Sequence, residues 1–312
     1  MPNVFVASID GHLDKIIAKQ LSVSRRVARR LIATGSVAVN QKNIAILLFP
    51  IKKGDSVMIQ NVAEPTSKPS NLELDIPILL EDKDLLVVNK PAHLLSEIEH
   101  AYSPTVISEL QKKMGSKKIR LELVHRLDAG TSGLLILSKK TEMTTALTAM
   151  FKQGKIKKSY RALVAGDITH QQLIDMPIDR IRGSLHGVLK TGRPAQTRVI
   201  PCASQSAASL LHLEPLTGRT HQLRVHLAAI GHPIVGDGKY GGPKYLEQGQ
   251  SRIPLERFML HAEYLVFVQP NTQKNVNLRA DLPKDFIQTA IFYGMQTDCN
   301  HDKIKNYFNS CA

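Results

Sequence analysis

The chain has 312 residues, 43% hydrophobic and 22% charged, which is enough to bury one large core and one small one. Lys and Arg number 41 against 27 Asp and Glu, a formal charge of +14, so a polyanion is the expected partner unless the excess charge serves solubility alone. The three cysteines (Cys202, Cys299 and Cys311) have neither disulfide nor metal spacing, the opening MPNVFVASID lacks a signal-peptide pattern, and no apolar run is long enough to span a bilayer. The expectation is therefore a cytoplasmic protein without zinc or membrane spans; with no tryptophan, broad base-stacking platforms are not expected to dominate.

Residues 1–60 carry nine Lys/Arg and three Asp/Glu, a net of +6 in a short segment. Apolar residues at 13, 16, 17 and 21 predict a helix. Ser24 is placed to cap a second helix, with Val27, Leu31 and Ile32 turned inward. Arg25, Arg26, Arg29 and Arg30 would then form a cationic face, and Gly35 would end the helix. SVAVN and DSVMI alternate as strands, with QKN and KKGD as turns. Residues 61–74 read as a linker, polar and with two prolines.

From 75 the texture changes. DLLVVNKP, SGLLILSK, SYRALVAG and ASLLHLEPL predict strands. TEMTTALTAMFKQ predicts a helix ended by Gly154. THQLRVHLAAI predicts another, capped by Thr220, with Leu223, Leu227 and Ile230 on one face and Gly231 at its end. Phe286, Ile287, Ile291 and Phe292 suggest a docked helix opening a C-terminal tail over 286–312. Strands and turns with few helices predict an α+β fold with a mainly antiparallel sheet.

Three segments could carry chemistry. In VHRLDAGTSGLLILSK, Asp128 sits in a loop leading into a rigid apolar strand, where a reactive carboxylate is wanted; capping the turn is the alternative use. An aspartic-protease pair needs two Asp-Thr/Ser-Gly loops; here the sequence is Asp-Ala-Gly with no second copy, so that reading is excluded. In TGRTHQLRVH, Arg219, His221, Arg224 and His226 crowd a helix start, where a guanidinium could fork onto a carboxylate or clamp a phosphate. The two histidines are five apart, the wrong offset for a metal pair on one helical face. In KIKKSYRALVAGD, Tyr160 opens a strand after a lysine cluster and by itself is an ordinary strand tyrosine. The glycines around Tyr240 do not follow a strand-loop-helix phosphate pattern.

Taken in order, DKDLLVVNKPAHLLS, VHRLDAGTSGLLILSK, KKSYRALVAG, GRPAQTR, LTGRTHQLRVHLAAIGHPIVGDGKYGG and LHA resemble the RluA-type pseudouridine synthases over 75–285. Residues 12–59 resemble the small RNA-binding module of ribosomal protein S-four, with His12 standing where that module commonly has Arg. Ala129-Gly130 follows the acid where many relatives carry charged residues.

The resemblance implies isomerisation of uridine in RNA without a cofactor, because one bond is exchanged for another within a single nucleotide. It assigns the catalytic carboxylate to Asp128, an arginine partner to Arg224 and base packing to Tyr160, and has Arg126 fill the gap left by an extruded uridine. It leaves His125 to orient the loop, His221 to fix the helix start, and Thr131, Ser132 and Gly133 to shape the turn. Arg126, His125, Arg219, His221 and the basic N-terminal helix, with Arg25, Arg26, Arg29 and Arg30, would hold RNA. Large-subunit ribosomal RNA is the expected substrate and a monomer the expected state. Transfer RNA, or a non-catalytic ribosome-assembly role on the same fold, are the alternatives.

Overall fold

The computed structural model describes residues 3–23, 25, 28, 31–32, 37–44, 49–59, 75–97, 104–115, 120–205, 207–248 and 251–297. The expectations for Ser24, Arg26, Val27, Arg29, Arg30, Gly35, the linker 61–74 and the last residues of the tail lie outside them. The chain forms two compact units, Met1–Leu74 and Asp75–Ala312.

In the smaller unit, Leu13–Gln20 is helical and buries Leu13, Asp14, Ile16 and Ile17. Arg25, Ala28, Leu31 and Ile32 are helical as well, and Ala28 and Ile32 are fully buried. These side chains pack on an antiparallel sheet whose strand order is Asn3–Val6, Ser56–Ile59, Val37–Val39, Lys42–Asn43. The QKN turn is narrower than its composition implies. Asn40 and Gln41 alone turn the chain, with φ of 47° and 67°, and Lys42 already pairs with Val39. Two positive φ values in a two-residue loop match the twist of a hairpin, and asparagine tolerates them.

The larger unit is built on one long sheet. Its strands run in the order Gln172–Asp175, Gln196–Gln205, Ala208–Pro215, Lys157–Ala165, Leu260–Val268, Ser132–Ser138, Leu85–Lys90, Ile78–Glu81. All of these neighbours are antiparallel except one pair. Ser132–Ser138 meets Leu260–Val268 in parallel, through Ser132 opposite His261 and Gly133 opposite Ala262. Gly133 has φ +111°, and a Cβ there would run into the backbone of Ala262, so only glycine permits this seam.

Both faces of the sheet are covered, which explains the unbroken apolar run Leu85–Val88 in the strand Leu85–Lys90. Leu86 and Val88 enter one core with Leu135, Leu137, Leu163 and Leu211. Leu85 and Val87 enter a second with Leu134, Ile136, Leu265 and Phe267. The helix Thr141–Lys152 closes the second core with Met143 and Leu147, and Gly154 (φ +67°) lies just past its end. The helix Gln222–Ala229 closes the first with Leu223 and Leu227, and Ile230 packs against the same core.

Lys284–Phe292 is also helical and sends Phe286 and Ala290 into the first core. A boundary at 285/286 would cut through that helix. Ile291, expected to dock, is 62% exposed; Thr289 takes a buried place instead. Ile291 follows the docked Ala290 by one residue, which turns it about 100° away on a helix of 3.6 residues per turn.

Candidate active site

Asp128 opens a tight turn. Its carbonyl accepts a hydrogen bond from the Thr131 backbone N–H at 3.0 Å, and the next residue starts the strand Ser132–Ser138. The turn is held from several sides. The Ser96 hydroxyl donates to the Leu127 carbonyl at 2.9 Å and accepts from its N–H at 3.2 Å. The buried Lys90 ammonium donates to the carbonyls of Pro91 and Leu94 at 2.9 Å and of Ala129 at 3.2 Å. Burial and the nearby Arg257 charge lower the Lys90 pKa to about 7. Arg257, itself buried, forks onto Asp285 and directs Nη1 to the Ser132 hydroxyl at 3.3 Å. Gly130 has no room for a side chain: a Cβ there would lie 2.7 Å from the Phe258 ring. The departure at Ala129-Gly130 is thus tied to Phe258.

The turn leaves the Asp128 side chain free to face a cavity of about 890 Å³. The carboxylate does not cap its own turn. Oδ2 accepts from Arg224 Nη1 at 2.9 Å, and the side chain is 27% exposed. Arg224 spends the rest of its fork on Asp237, with Nε to Oδ2 at 2.6 Å and Nη2 to Oδ1 at 2.8 Å. Its guanidinium lies between the rings of Phe258 at 4.2 Å and Tyr240 at 4.8 Å. Burial alone would lower the Arg224 pKa, but the bonds and charges of Asp237 and Asp128 outweigh it and raise the value. A planar cation with five donors can serve two carboxylates and two ring faces at once; an ammonium cannot.

Tyr160 lies on the strand Lys157–Ala165 and lines the same cavity. The ladder to Leu260–Val268 shifts register between Ser159 and Tyr160. Such irregularities re-aim a side chain beside a site. Burial first, and the Asp128 charge second, raise the Tyr160 pKa, so the phenol keeps its proton.

The helix start differs from expectation. Gln222, not Thr220, pins it: its Oε1 accepts from the Thr217 hydroxyl at 2.7 Å and the Arg219 N–H at 3.0 Å, while Nε2 donates to Gln196 and Thr197. His221 occupies the cap position with φ +56° but makes no side-chain cap bond. Its Nε2 lies 3.9 Å from Asp128 Oδ2, and its Nδ1 lies 2.7 Å from the Tyr240 hydroxyl. Burial, opposed by the Asp128 charge, lowers its pKa to about 4. His226 turns away to Thr197 and the Met176 carbonyl.

His125 orients the loop through its ring. Nε2 accepts from the Ile136 N–H at 3.0 Å, and burial with the Lys158 charge lowers its pKa to about 3. A neutral acceptor of this kind is poorly suited to holding phosphate. Arg126 lines the cavity and pairs with Glu97 at 3.0 Å, both side chains being exposed. Arg219 also lines it, its Nε donating to the Pro194 carbonyl. Among the described residues, seven Lys/Arg and two carboxylates line the cavity, the imbalance a polyanion needs. In the smaller unit Arg25 is not a free cation, because it pairs at 2.8 Å with the fully buried Asp14. Asp237, Tyr240, Phe258, Lys90 and Arg257 were not singled out as site residues, although Lys90 lies within DKDLLVVNKPAHLLS and the first two within GDGKYGG.

Residues 84–229 match the family model described as RNA pseudouridylate synthase, and residues 13–57 match the S4 domain. Ribosomal large subunit pseudouridine synthase C of Vibrio cholerae is 30% identical over 285 residues, spanning 86% of this chain and 89% of the relative. The chain belongs to the RNA pseudouridylate synthase family. Ribosomal large subunit pseudouridine synthase D of Zymomonas mobilis is 33% identical, over 89% of this chain and 92% of the relative. Human RNA pseudouridylate synthase domain containing 4 superposes with a TM-score of 0.57 at 25% identity, covering 71% of this chain and 94% of that structure. The synthase is an isomerase with RNA as its partner. Among the described residues no helix is long and apolar enough to cross a membrane.

Proposed function

We propose that the synthase converts uridines of large-subunit ribosomal RNA to pseudouridine, with Asp128 as the catalytic carboxylate. The observation that carries this reading is the Asp128–Arg224 contact at 2.9 Å on the wall of a cavity rich in cations. The reaction breaks the bond from C1′ to N1 and joins C1′ to C5 of the same base. A single ionised carboxylate serves it as nucleophile or base. Arg224 keeps that carboxylate aimed, and Asp237 keeps Arg224 in place. Tyr160, protonated and buried, packs against the uracil and is within the same enclosure for proton exchange at C5. Arg126, exposed at the cavity rim, fills the stack vacated by the extruded base. Arg219 holds the RNA backbone beside it.

The names borne by the Vibrio cholerae and Zymomonas mobilis relatives support ribosomal RNA of the large subunit as substrate. The basic module over 1–60 and the catalytic region over 75–285 divide the labour, the first binding and the second isomerising. Arg26, Arg29 and Arg30 of that module hold phosphates. Arg25 shares their segment but is engaged with Asp14. The protein works as a monomer in the cytoplasm.

Site-resolved mapping of pseudouridine in a strain lacking the protein tests the substrate. Loss of one or more sites in large-subunit RNA is expected; an unchanged large-subunit map with a lost transfer-RNA site would overturn that assignment. Arg29→Ala is expected to weaken RNA binding and to reduce the slope of log affinity against log salt by about 1.

A further inference from the structure

Two donors converge on one oxygen of the Asp128 carboxylate. Arg224 Nη1 lies 2.9 Å from Oδ2 and His221 Nε2 lies 3.9 Å from the same atom. Among the described residues no hydrogen bond falls on Oδ1. Behind His221 stands Tyr240, whose hydroxyl oxygen is 2.7 Å from Nδ1 and also accepts the His186 backbone N–H at 3.2 Å.

These contacts fix a proton. The His186 N–H can only donate, so it occupies a lone pair of the phenol oxygen. The phenol's own proton finds its other close partner in Nδ1, which accepts it. A neutral ring that accepts at Nδ1 carries its hydrogen on Nε2, facing Asp128. The opposite tautomer would turn an imidazole lone pair towards a carboxylate and leave the phenol proton without use. Burial keeps the ring neutral, so the carboxylate meets one full positive charge and one dipole.

We propose that Tyr240 and His221 are positioning residues: Tyr240 locks His221 as the Nε2–H tautomer, that N–H and Arg224 hold Oδ2, and Oδ1 is the oxygen that reacts. The proposal rests on the reading of Asp128 as the catalytic carboxylate. The 3.9 Å separation is the loose form of a contact that tightens when uridine fills the cavity. Tyr240 also lies against the Arg224 guanidinium, so one ring backs both groups that hold Oδ2.

The test uses the full chain labelled with [15N]histidine, and tritium release from large-subunit RNA transcribed with [5-3H]uridine. His221→Asn identifies the His221 nitrogen signals and retains a residue type that tolerates φ +56°. The wild-type ring is expected to show its proton on Nε2, and Tyr240→Phe to give a mixture of tautomers. A proton on Nδ1 in the wild type, or no change in Tyr240→Phe, overturns the proposal. His221→Asn is expected to lower kcat about 10- to 100-fold, the span of a hydrogen bond to an ionised group, with KM changed by less than about threefold. His221→Gln, whose amide nitrogen reaches the place of Nε2, is expected to recover most of that loss. Equal impairment in Gln and Asn removes the Nε2 donor from the scheme. Asp128→Asn assayed alongside separates the two readings: turnover there overturns the role of Asp128, whereas the tautomer signal needs no turnover.

Discussion

Arg161 and Arg224 are both buried guanidinium groups forked onto a carboxylate, and they serve different ends. Arg161 and Glu263 are both fully buried, joined through Nε at 3.0 Å and Nη2 at 2.9 Å, with Arg279 adding a third contact to Glu263 at 3.2 Å. That pair ties the strands Lys157–Ala165 and Leu260–Val268 together inside the sheet. Arg224 has a similar fork to the buried Asp237, but a further donor goes to a carboxylate that is 27% exposed on a cavity. The chemistry of the two pairs is alike. One oxygen left open to a cavity separates a fastening from a reactive group.

The largest effect that would sharpen this contrast is at Asp128. Asp128→Asn is expected to cut isomerisation at least about 10⁴-fold while RNA affinity stays within a few-fold and the urea midpoint is unmoved. Arg161→Met is expected to do the reverse: about 3–5 kcal/mol of stability lost in urea unfolding, from stranding Glu263, with kcat of the folded fraction retained. If Arg161→Met instead lowered kcat without a change in midpoint, the contrast would fail. Arg224→Lys should retain a positive charge but lose the fork, lowering kcat about 10- to 100-fold.

A titration probes the same fastening region. His261 is buried, hydrogen-bonded to the Ser132 hydroxyl and the Ala280 carbonyl, and burial lowers its pKa to about 4. A depressed folded-state pKa means stability fully present above the unfolded value near 6.5 and lost as pH falls towards 4. Urea midpoints at several pH values, compared between wild type and His261→Gln, check this: the wild type should lose more across that window. The smallest effect is expected at Arg126. Its exposed pair with Glu97 should contribute less than about 1 kcal/mol, so Arg126→Ala should leave the midpoint unchanged and act on turnover of paired RNA.

Legibility in the sequence followed the range of the interaction. Strands such as Leu85–Lys90 and Ser132–Ser138 are built on local apolar runs, and the structure holds them where their composition put them. Thr220 was a reasonable cap by residue type, yet the long side chain of Gln222 reached the loop first, a competition that local propensity does not encode. Asp128 and Arg224 were legible through motif order, although they are 96 residues apart. Asp237 and Tyr240 were not, because a carboxylate and a phenol in a glycine-rich turn acquire meaning only once the helix Gln222–Ala229 is set against them. His221 was read as holding the helix; its left-handed backbone instead leaves the ring beside Asp128.

The parallel seam at Gly133 and Ala262 has a consequence for synthesis. Asp128 precedes the strand on one side of that seam, and Tyr160 and Arg224 belong to the other side. The strand Leu260–Val268, which lies between the two halves, is translated after all three. A nascent chain therefore holds Asp128, Tyr160 and Arg224 before it has the strand that lies between them. The order of synthesis thus leaves assembly of the site to the late central strand.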